Sequence, residues 1–173
     1  MSAEDLRAKI REVPDFPKPG ILFYDITTLL KDAAAYRESI RQMIEPYRNE
    51  PVDIVVGMES RGFIFSAPMA YELDAGLVPV RKLGKLPAET LSVEYALEYG
   101  SNTLEIHRDA IQPGQKVLIV DDLLATGGTV QGTIDLVERL KGEVVGLAFL
   151  VELEFLHGRD RLGGRRVTSV IRY

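Results

Sequence analysis

The sequence contains no cysteine. Disulfides, thiolate nucleophiles and zinc–thiolate centres are therefore excluded, and the redox compartment is left open by this criterion. Histidine is nearly as scarce: His107 and His157, the only two, have no partner at metal-ligand spacing and read as surface residues. Positive charge is short as well. Twenty-one Lys and Arg stand against 26 Asp and Glu, a net charge of -5, which is the wrong sign for general nucleic-acid binding. Long apolar runs are missing: the longest, residues 144–151, cannot span a bilayer. The first residues, MSAEDLRAKIREV, have the polarity of an amphipathic helix and lack the apolar core of a signal peptide. These absences point to a soluble cytoplasmic protein that engages neither nucleic acid nor membrane. Any anion it holds must meet a local cluster of donors.

What is present is ordinary in bulk and specific in arrangement. At 173 residues, 46% hydrophobic and 27% charged, the chain can bury a core without staples and is expected to form one domain over 1–173. Apolar β-rich runs at 53–57, 77–81, 116–121, 144–152 and 167–172 alternate with helix-period segments at 3–11, 33–47, 62–73 and 128–140. That rhythm predicts an α/β fold with a mostly parallel central sheet flanked by helices. Ile54-Val-Val and Val117-Leu-Ile-Val are apolar without alternation, as strands covered on both faces are. Two segments break the rhythm. Phe16-Pro-Lys-Pro-Gly prescribes a turn, and the polar stretch 84–102 reads as a flap, since long loops within compact domains are usually lids or binding loops.

The most informative stretch is Val117-Leu-Ile-Val-Asp-Asp-Leu-Leu-Ala-Thr-Gly-Gly-Thr. A buried strand leads to a connection at 121–129 and then a helix, the place where open α/β sheets bind ligands. Gly127 and Gly128 let backbone N–H groups turn inward, Thr126 and Thr129 add hydroxyls, and the helix offers its positive end to an anion. No Gly-Lys-Ser/Thr follows and G-x-G-x-x-G is absent, so the P-loop and dinucleotide readings lose ground. Asp121 and Asp122 would repel a phosphate unless they accept sugar hydroxyls or face a cation. A ribose 5-phosphate satisfies both halves, with Asp121, Asp122, Leu124, Ala125, Thr126, Gly127, Gly128 and Thr129 around it. The plainer alternative is a tight strand-to-helix turn with an acidic entrance.

This strand-acid-acid-loop unit resembles the signature of the type I phosphoribosyltransferases. Phe16–Thr27, Glu59-Ser-Arg-Gly-Phe, Arg81-Lys-Leu-Gly-Lys-Leu-Pro, Leu97-Glu-Tyr-Gly and Val151-Glu-Leu resemble, in order, segments of that family's adenine-using branch. The resemblance implies a family fold with a flexible flap and a small base-binding hood from the N-terminal segment. It also implies transfer of phosphoribose from phosphoribosyl pyrophosphate to adenine in a homodimer. Mg²⁺ is the implied cofactor, held mainly by substrate and water with no dedicated protein ligands.

The same resemblance distributes the remaining roles. Ser60 and Arg61 meet the pyrophosphate, with Ser60 capping the helix and Glu59–Ser60 a candidate cis peptide; a plain helix cap with a surface arginine is the alternative. Lys82 and Lys85 serve the same anion and Arg81 reaches into the partner subunit, unless the run is only a solvated basic edge. Leu22, Phe23, Tyr24 and Leu153 surround adenine, although Phe23 without the resemblance reads as core, and Tyr24 stands where relatives commonly carry arginine. Glu98, near Tyr99, accepts or relays the N9 proton, or is a solvated loop carboxylate. Asp121 and Asp122 position the ribose and stabilise positive charge on it. Two other functions fit the superfamily: transfer to a six-oxopurine, and non-catalytic sensing of phosphoribosyl pyrophosphate.

Overall fold

The computed structural model describes residues 1–96 and 100–173. Within them, five parallel-paired strands form most of the sheet: β3 (Ile54–Met58), β4 (Gly76–Lys82), β7 (Lys116–Leu124), β8 (Glu143–Glu152) and β9 (Val167–Arg172). These are the five strands expected from the sequence. Two further strands, β5 (Thr90–Ala96) and β6 (Ser101–His107), extend the sheet antiparallel on the β4 side, giving the order β5-β6-β4-β3-β7-β8-β9. Within the stretch read as a polar flap, residues 90–96 and 101–102 are strand. Its strand β5 alternates apolar Leu91, Val93 and Tyr95 with Ser92 and Glu94, and the apolar positions pack on α5 (Gly128–Arg139).

Helices cover both faces, which is why β7 is buried along Val117–Val120. On one face Leu118 and Val120 pack with α3 (Ala33–Ile44) and α4 (Gly62–Glu72); on the other Val117 and Ile119 pack with α5. In α5, Val130, Ile134 and Val137, spaced at helical intervals, form the inward stripe.

The N-terminal segment corrects a prediction. The helix expected over 3–11 stops early: α1 spans Ala3–Arg7, capped by reciprocal hydrogen bonds between Ser2 and Asp5. The chain then enters β1 (Arg11–Pro14), which pairs antiparallel with β2 (Leu22–Asp25). Pairing to a distant strand outweighs local helical polarity here. The hairpin turns through Phe16–Gly20, with a cis Phe16–Pro17 bond and the Gly20 N–H donating to Asp15. A short helix, α2 (Thr27–Leu30), follows. The helix expected over 33–47 is α3 followed by a 3₁₀ turn at Glu45–Tyr47.

An aromatic stack fastens this hairpin to the sheet. The Tyr24 and Tyr173 rings lie 3.8 Å apart, and the Arg7 guanidinium covers Tyr173 at 4.2 Å. Such stacks contribute about 0.5–1.5 kcal/mol beyond area burial. Tyr173→Ala is expected to raise amide exchange in residues 11–25 roughly 2- to 10-fold while leaving β7 and β8 protected. Unchanged exchange in the hairpin would show that the stack does not hold it.

Candidate active site

β7 extends past the expected end at 121, so Asp121 and Asp122 are strand residues and the connection begins only after Leu124. Consecutive strand residues project to opposite faces. Asp122 lines a cavity of about 190 Å³ formed with β2 and the end of β8. Asp121 lines a second cavity, of about 80 Å³, formed with the backbone that enters α5. Leu123 lines both. The paired acids thus stand at the junction of an apolar pocket and a glycine-rich cradle.

Gly127 takes φ 87° and serves as the N-cap of α5, and residues 124–130 line the smaller cavity, the cradle. The first N–H groups of a helix have no partner within it, and here they belong to a twelve-residue helix with its positive end at the cradle. Thr126 is exposed at the rim, and the Thr129 carbonyl accepts the Thr133 hydroxyl at 2.9 Å. A Cβ on Gly128 would stand 3.5 Å from the Tyr95 ring and 3.9 Å from the Ala96 carbonyl, so β5 runs past the cradle's mouth.

Electrostatics set the acids apart. Arg61 Nε lies 2.9 Å from Asp122 Oδ2, and its guanidinium sits 5.5 Å from the centre of the Phe23 ring. Asp121 Oδ1 accepts the Asp122 N–H at 2.8 Å and faces Gly62, where a Cβ would approach it to 2.8 Å. Only glycine lets α4 start so close to this carboxylate. Burial first, then the Asp122 charge, push the Asp121 carboxyl well above the usual carboxylate range, against a smaller opposing effect of Arg61. With both acids ionised, the site is short of positive charge.

The segment Glu59–Arg61 departs from one expectation and meets another. Arg61, not Ser60, is the N-cap of α4, and no side chain caps it; Ser60 is exposed and offers only its carbonyl, to the Phe63 N–H at 3.2 Å. The Glu59–Ser60 peptide is cis. Glu59 Oε2 accepts the Lys82 N–H at 2.9 Å and Arg81 Nε at 3.3 Å. The Lys82 amide and then Arg81 hold the Glu59 carboxyl below its usual range. Arg81 is thus paired within its own chain, and the turn from Lys82 to Lys85 closes through the Lys85 N–H to the Lys82 carbonyl.

The larger cavity is the one beneath the hairpin. Leu22, Phe23 and Tyr24 line it from β2 and Leu153 from the end of β8, together with Arg61 and Asp122. Phe23 meets Phe16 edge-on at 5.1 Å, and is half-buried, not core. Tyr24 turns its ring onto Tyr173. Ile21, Ile26, Leu123 and Val151 also line this pocket, and the sequence reading did not single them out. An isolated apolar residue in or beside a strand carries no signal that separates pocket wall from core.

Glu98 and Tyr99 lie outside the described residues. His157 is exposed, and His107 is half-buried with its Nε2 accepting the Ala88 N–H at 3.4 Å. Among the described residues, no group of three or more acidic or histidine side chains gathers for a metal. Two carboxylates beside an anion cradle do fit an ion of the Mg²⁺ kind, which keeps several waters and binds through one or two carboxylates plus substrate phosphates.

The comparisons agree with this geometry. Residues 25–167 match the family described as "Phosphoribosyl transferase domain". The adenine phosphoribosyltransferase of Chloroflexus aurantiacus is 58% identical over 173 residues, covering 100% of both chains. The crystal structure of the adenine phosphoribosyltransferase from Thermoanaerobacter pseudethanolicus superposes with TM-score 0.96 at 53% identity, covering 99% of this chain and 100% of that one. The Saccharomyces cerevisiae adenine phosphoribosyltransferase, solved in complex with adenine and an imino-altritol bisphosphate, gives TM-score 0.92 at 38% identity over 98% of each chain.

The raised Asp121 pKa has a thermodynamic consequence. A carboxyl whose folded-state value is raised contributes stability that is complete below its ordinary value of 3.8 and is lost as pH rises through the folded-state value. Asp121→Asn is therefore expected to raise the unfolding temperature at pH 8, by roughly 2–4 °C for each kcal/mol recovered, and to raise it less at pH 5. Calorimetry giving equal shifts at both pH values would contradict the buried like-charge pair.

Proposed function

The chain belongs to the phosphoribosyl transferase family, and on that premise we infer that it is an adenine phosphoribosyltransferase. It converts adenine and 5-phosphoribosyl 1-pyrophosphate to AMP and pyrophosphate, a purine-salvage reaction. The carrying observation is the contiguity of a flat apolar pocket, a carboxylate pair and a helix-entry cradle. These match base, ribose and 5-phosphate in the order in which a nucleotide presents them. No feature of the described residues favours the six-oxopurine or sensing alternatives.

The assignment of roles follows from that match. Adenine enters between Phe23 and Leu153, with backbone around Tyr24 reading its Watson–Crick edge and Leu22 closing the wall. The 5-phosphate takes the N–H groups and hydroxyls of Leu124, Ala125, Thr126, Gly127, Gly128 and Thr129. Asp121 and Asp122 accept the ribose hydroxyls and stabilise positive charge on the ring as the C1–oxygen bond lengthens. Arg61, released from Asp122, turns to the departing pyrophosphate with Ser60, Lys82 and Lys85. The N9 lone pair forms the new bond to C1, pyrophosphate leaves with the electrons of the C1–oxygen bond, and Glu98 with Tyr99 takes the N9 proton. Catalysis on this account is positioning and preorganised charge.

Asp121 and Asp122 would meet the water shell of a Mg²⁺ ion carried mainly by phosphoribosyl pyrophosphate, and that ion would offset the charge of the leaving group. We further propose that the 173 residues act as a single domain in a cytoplasmic homodimer, with Arg81 leaving Glu59 to reach the partner's site. Support for the dimer comes from α4, which is apolar on most sides, and from Tyr71, Leu77 and Leu83, which are 86%, 46% and 64% exposed. Among the described residues no helix is long and apolar enough to cross a membrane.

Incubation with adenine, Mg²⁺ and phosphoribosyl pyrophosphate is expected to yield AMP and pyrophosphate, with hypoxanthine and xanthine turned over far more slowly. Arg61→Ala and Asp122→Asn should each lower turnover by about 10²–10³ with the fold intact, the usual cost of one preorganised charge partner. In single-turnover kinetics Glu98→Ala should slow the chemical step more than it weakens adenine binding. Near-normal turnover in all three variants would overturn the assigned roles.

A further inference from the structure

We propose that the 3₁₀ segment Gly158–Leu162 is a backstop that fixes the shape of the 5-phosphate cradle, with Gly158, Arg159 and Glu152 as positioning residues. The proposal rests on the reading of 124–129 as the phosphate site.

The contact between the two segments is backbone against backbone. A Cβ on Gly127 would lie 2.7 Å from the Gly158 carbonyl oxygen, and a Cβ on Gly158 would run into the Ala125 carbonyl oxygen while standing 3.1 Å from the Gly127 nitrogen. Neither glycine leaves room for a side chain. A cradle that binds phosphate through directed N–H groups must hold its peptide planes to within about half an ångström. Gly127, at φ 87° and in the left-handed region, is the least restrained residue of the loop by its own geometry. Gly158 supplies the restraint from outside.

The backstop is itself fixed at both ends. Arg159 Nε and Nη2 bind the two oxygens of Glu152 at 2.9 and 2.5 Å, and its Nη1 donates to the Val167 carbonyl at 3.1 Å. Glu152 is 4% exposed and also accepts the Ser169 hydroxyl at 2.5 Å. Arg159 first, then Ser169, hold its carboxyl below the usual range. At the far end Leu162 is fully buried beside Leu124 and Val130, the residues that bracket the loop. Glu152 is buried while the Arg159 side chain stays 37% exposed; desolvation of the acid offsets part of the attraction, and the best-attested use of such pairs is to fix register. This pair fixes the register of Gly158 against Gly127.

Glu152 also joins floor to wall. It precedes Leu153, whose N–H donates to the Leu124 carbonyl at 2.9 Å, so the base wall and the first residue of the cradle hang on one strand end. None of these three residues touches a position assigned to the substrate, and each acts through the loop.

The test compares AMP with adenosine, whose affinity ratio isolates the phosphate cradle from the base pocket. The wild type is expected to prefer AMP strongly. In Gly158→Ala the added methyl displaces the Ala125 carbonyl, and AMP affinity should fall about 10-fold, the worth of one charge-assisted hydrogen bond, while adenosine affinity changes less than about 2-fold. Arg159→Lys, which keeps charge but loses the bidentate fork, should shrink the ratio in the same direction to a smaller extent. A wild-type ratio in folded Gly158→Ala overturns the proposal. If that variant does not fold, a wild-type ratio in Arg159→Lys overturns it instead. A wild-type protein that makes no AMP and binds adenosine as tightly as AMP sinks the functional reading itself, a separate outcome.

Discussion

Two carboxylates on consecutive residues of a buried strand end are the constraint around which this molecule is arranged. They cannot both be ionised cheaply in a low-dielectric setting. The fold answers by sending them to opposite faces of β7, by placing Arg61 on Asp122, and by leaving Asp121 with a carboxyl pushed well above its usual range. Glycine at position 62 then lets the start of α4 close against Asp121 without a Cβ in between. On the proposed reading, ribose hydroxyls donating to the acids, a developing sugar cation or a hydrated Mg²⁺ would each offset this unfavourable pairing.

Shape comes from elsewhere. The cradle takes its curvature from Gly127 and its rigidity from the segment packed behind it, and the base pocket takes its roof from a hairpin held by Tyr24 and Tyr173. Both supports are remote in sequence from what they support. Glu59 plays a comparable part for the basic turn, accepting the Lys82 amide and the Arg81 side chain and so aiming the turn that carries Lys82 and Lys85. Glu59 and the Tyr24–Tyr173 stack thus fix where the basic turn and the hairpin over the pocket stand.

How much of this was legible beforehand depended on whether the signal was local. β3 and β7 were visible because strands covered on both faces read as unbroken apolar runs, and the glycine loop because Thr-Gly-Gly-Thr after paired acids has few other uses. The early end of α1 was not visible: Arg11–Pro14 has no helix breaker until Pro14, and only pairing with Leu22–Asp25 makes it a strand. β5 could have been found, since Leu-Ser-Val-Glu-Tyr alternates with period two inside a stretch that looked polar as a whole. That Asp121 and Asp122 face different cavities follows from β7 running three residues further than expected. Gly158 and Arg159 gave no local signal, because a glycine needed for backbone approach looks like any turn glycine until its neighbour across space is known.

The central claim is that one nucleotide spans the two cavities that meet at Leu123, and a crystal structure with AMP bound tests it most directly. The account predicts the phosphate within hydrogen-bond distance of the backbone N–H groups of residues 126–129, the ribose hydroxyls on Asp121 and Asp122, and the purine between Phe23 and Leu153. A phosphate seated elsewhere, for instance in the groove between α3 and α4 lined by Arg37, Arg41 and Arg48, would contradict it.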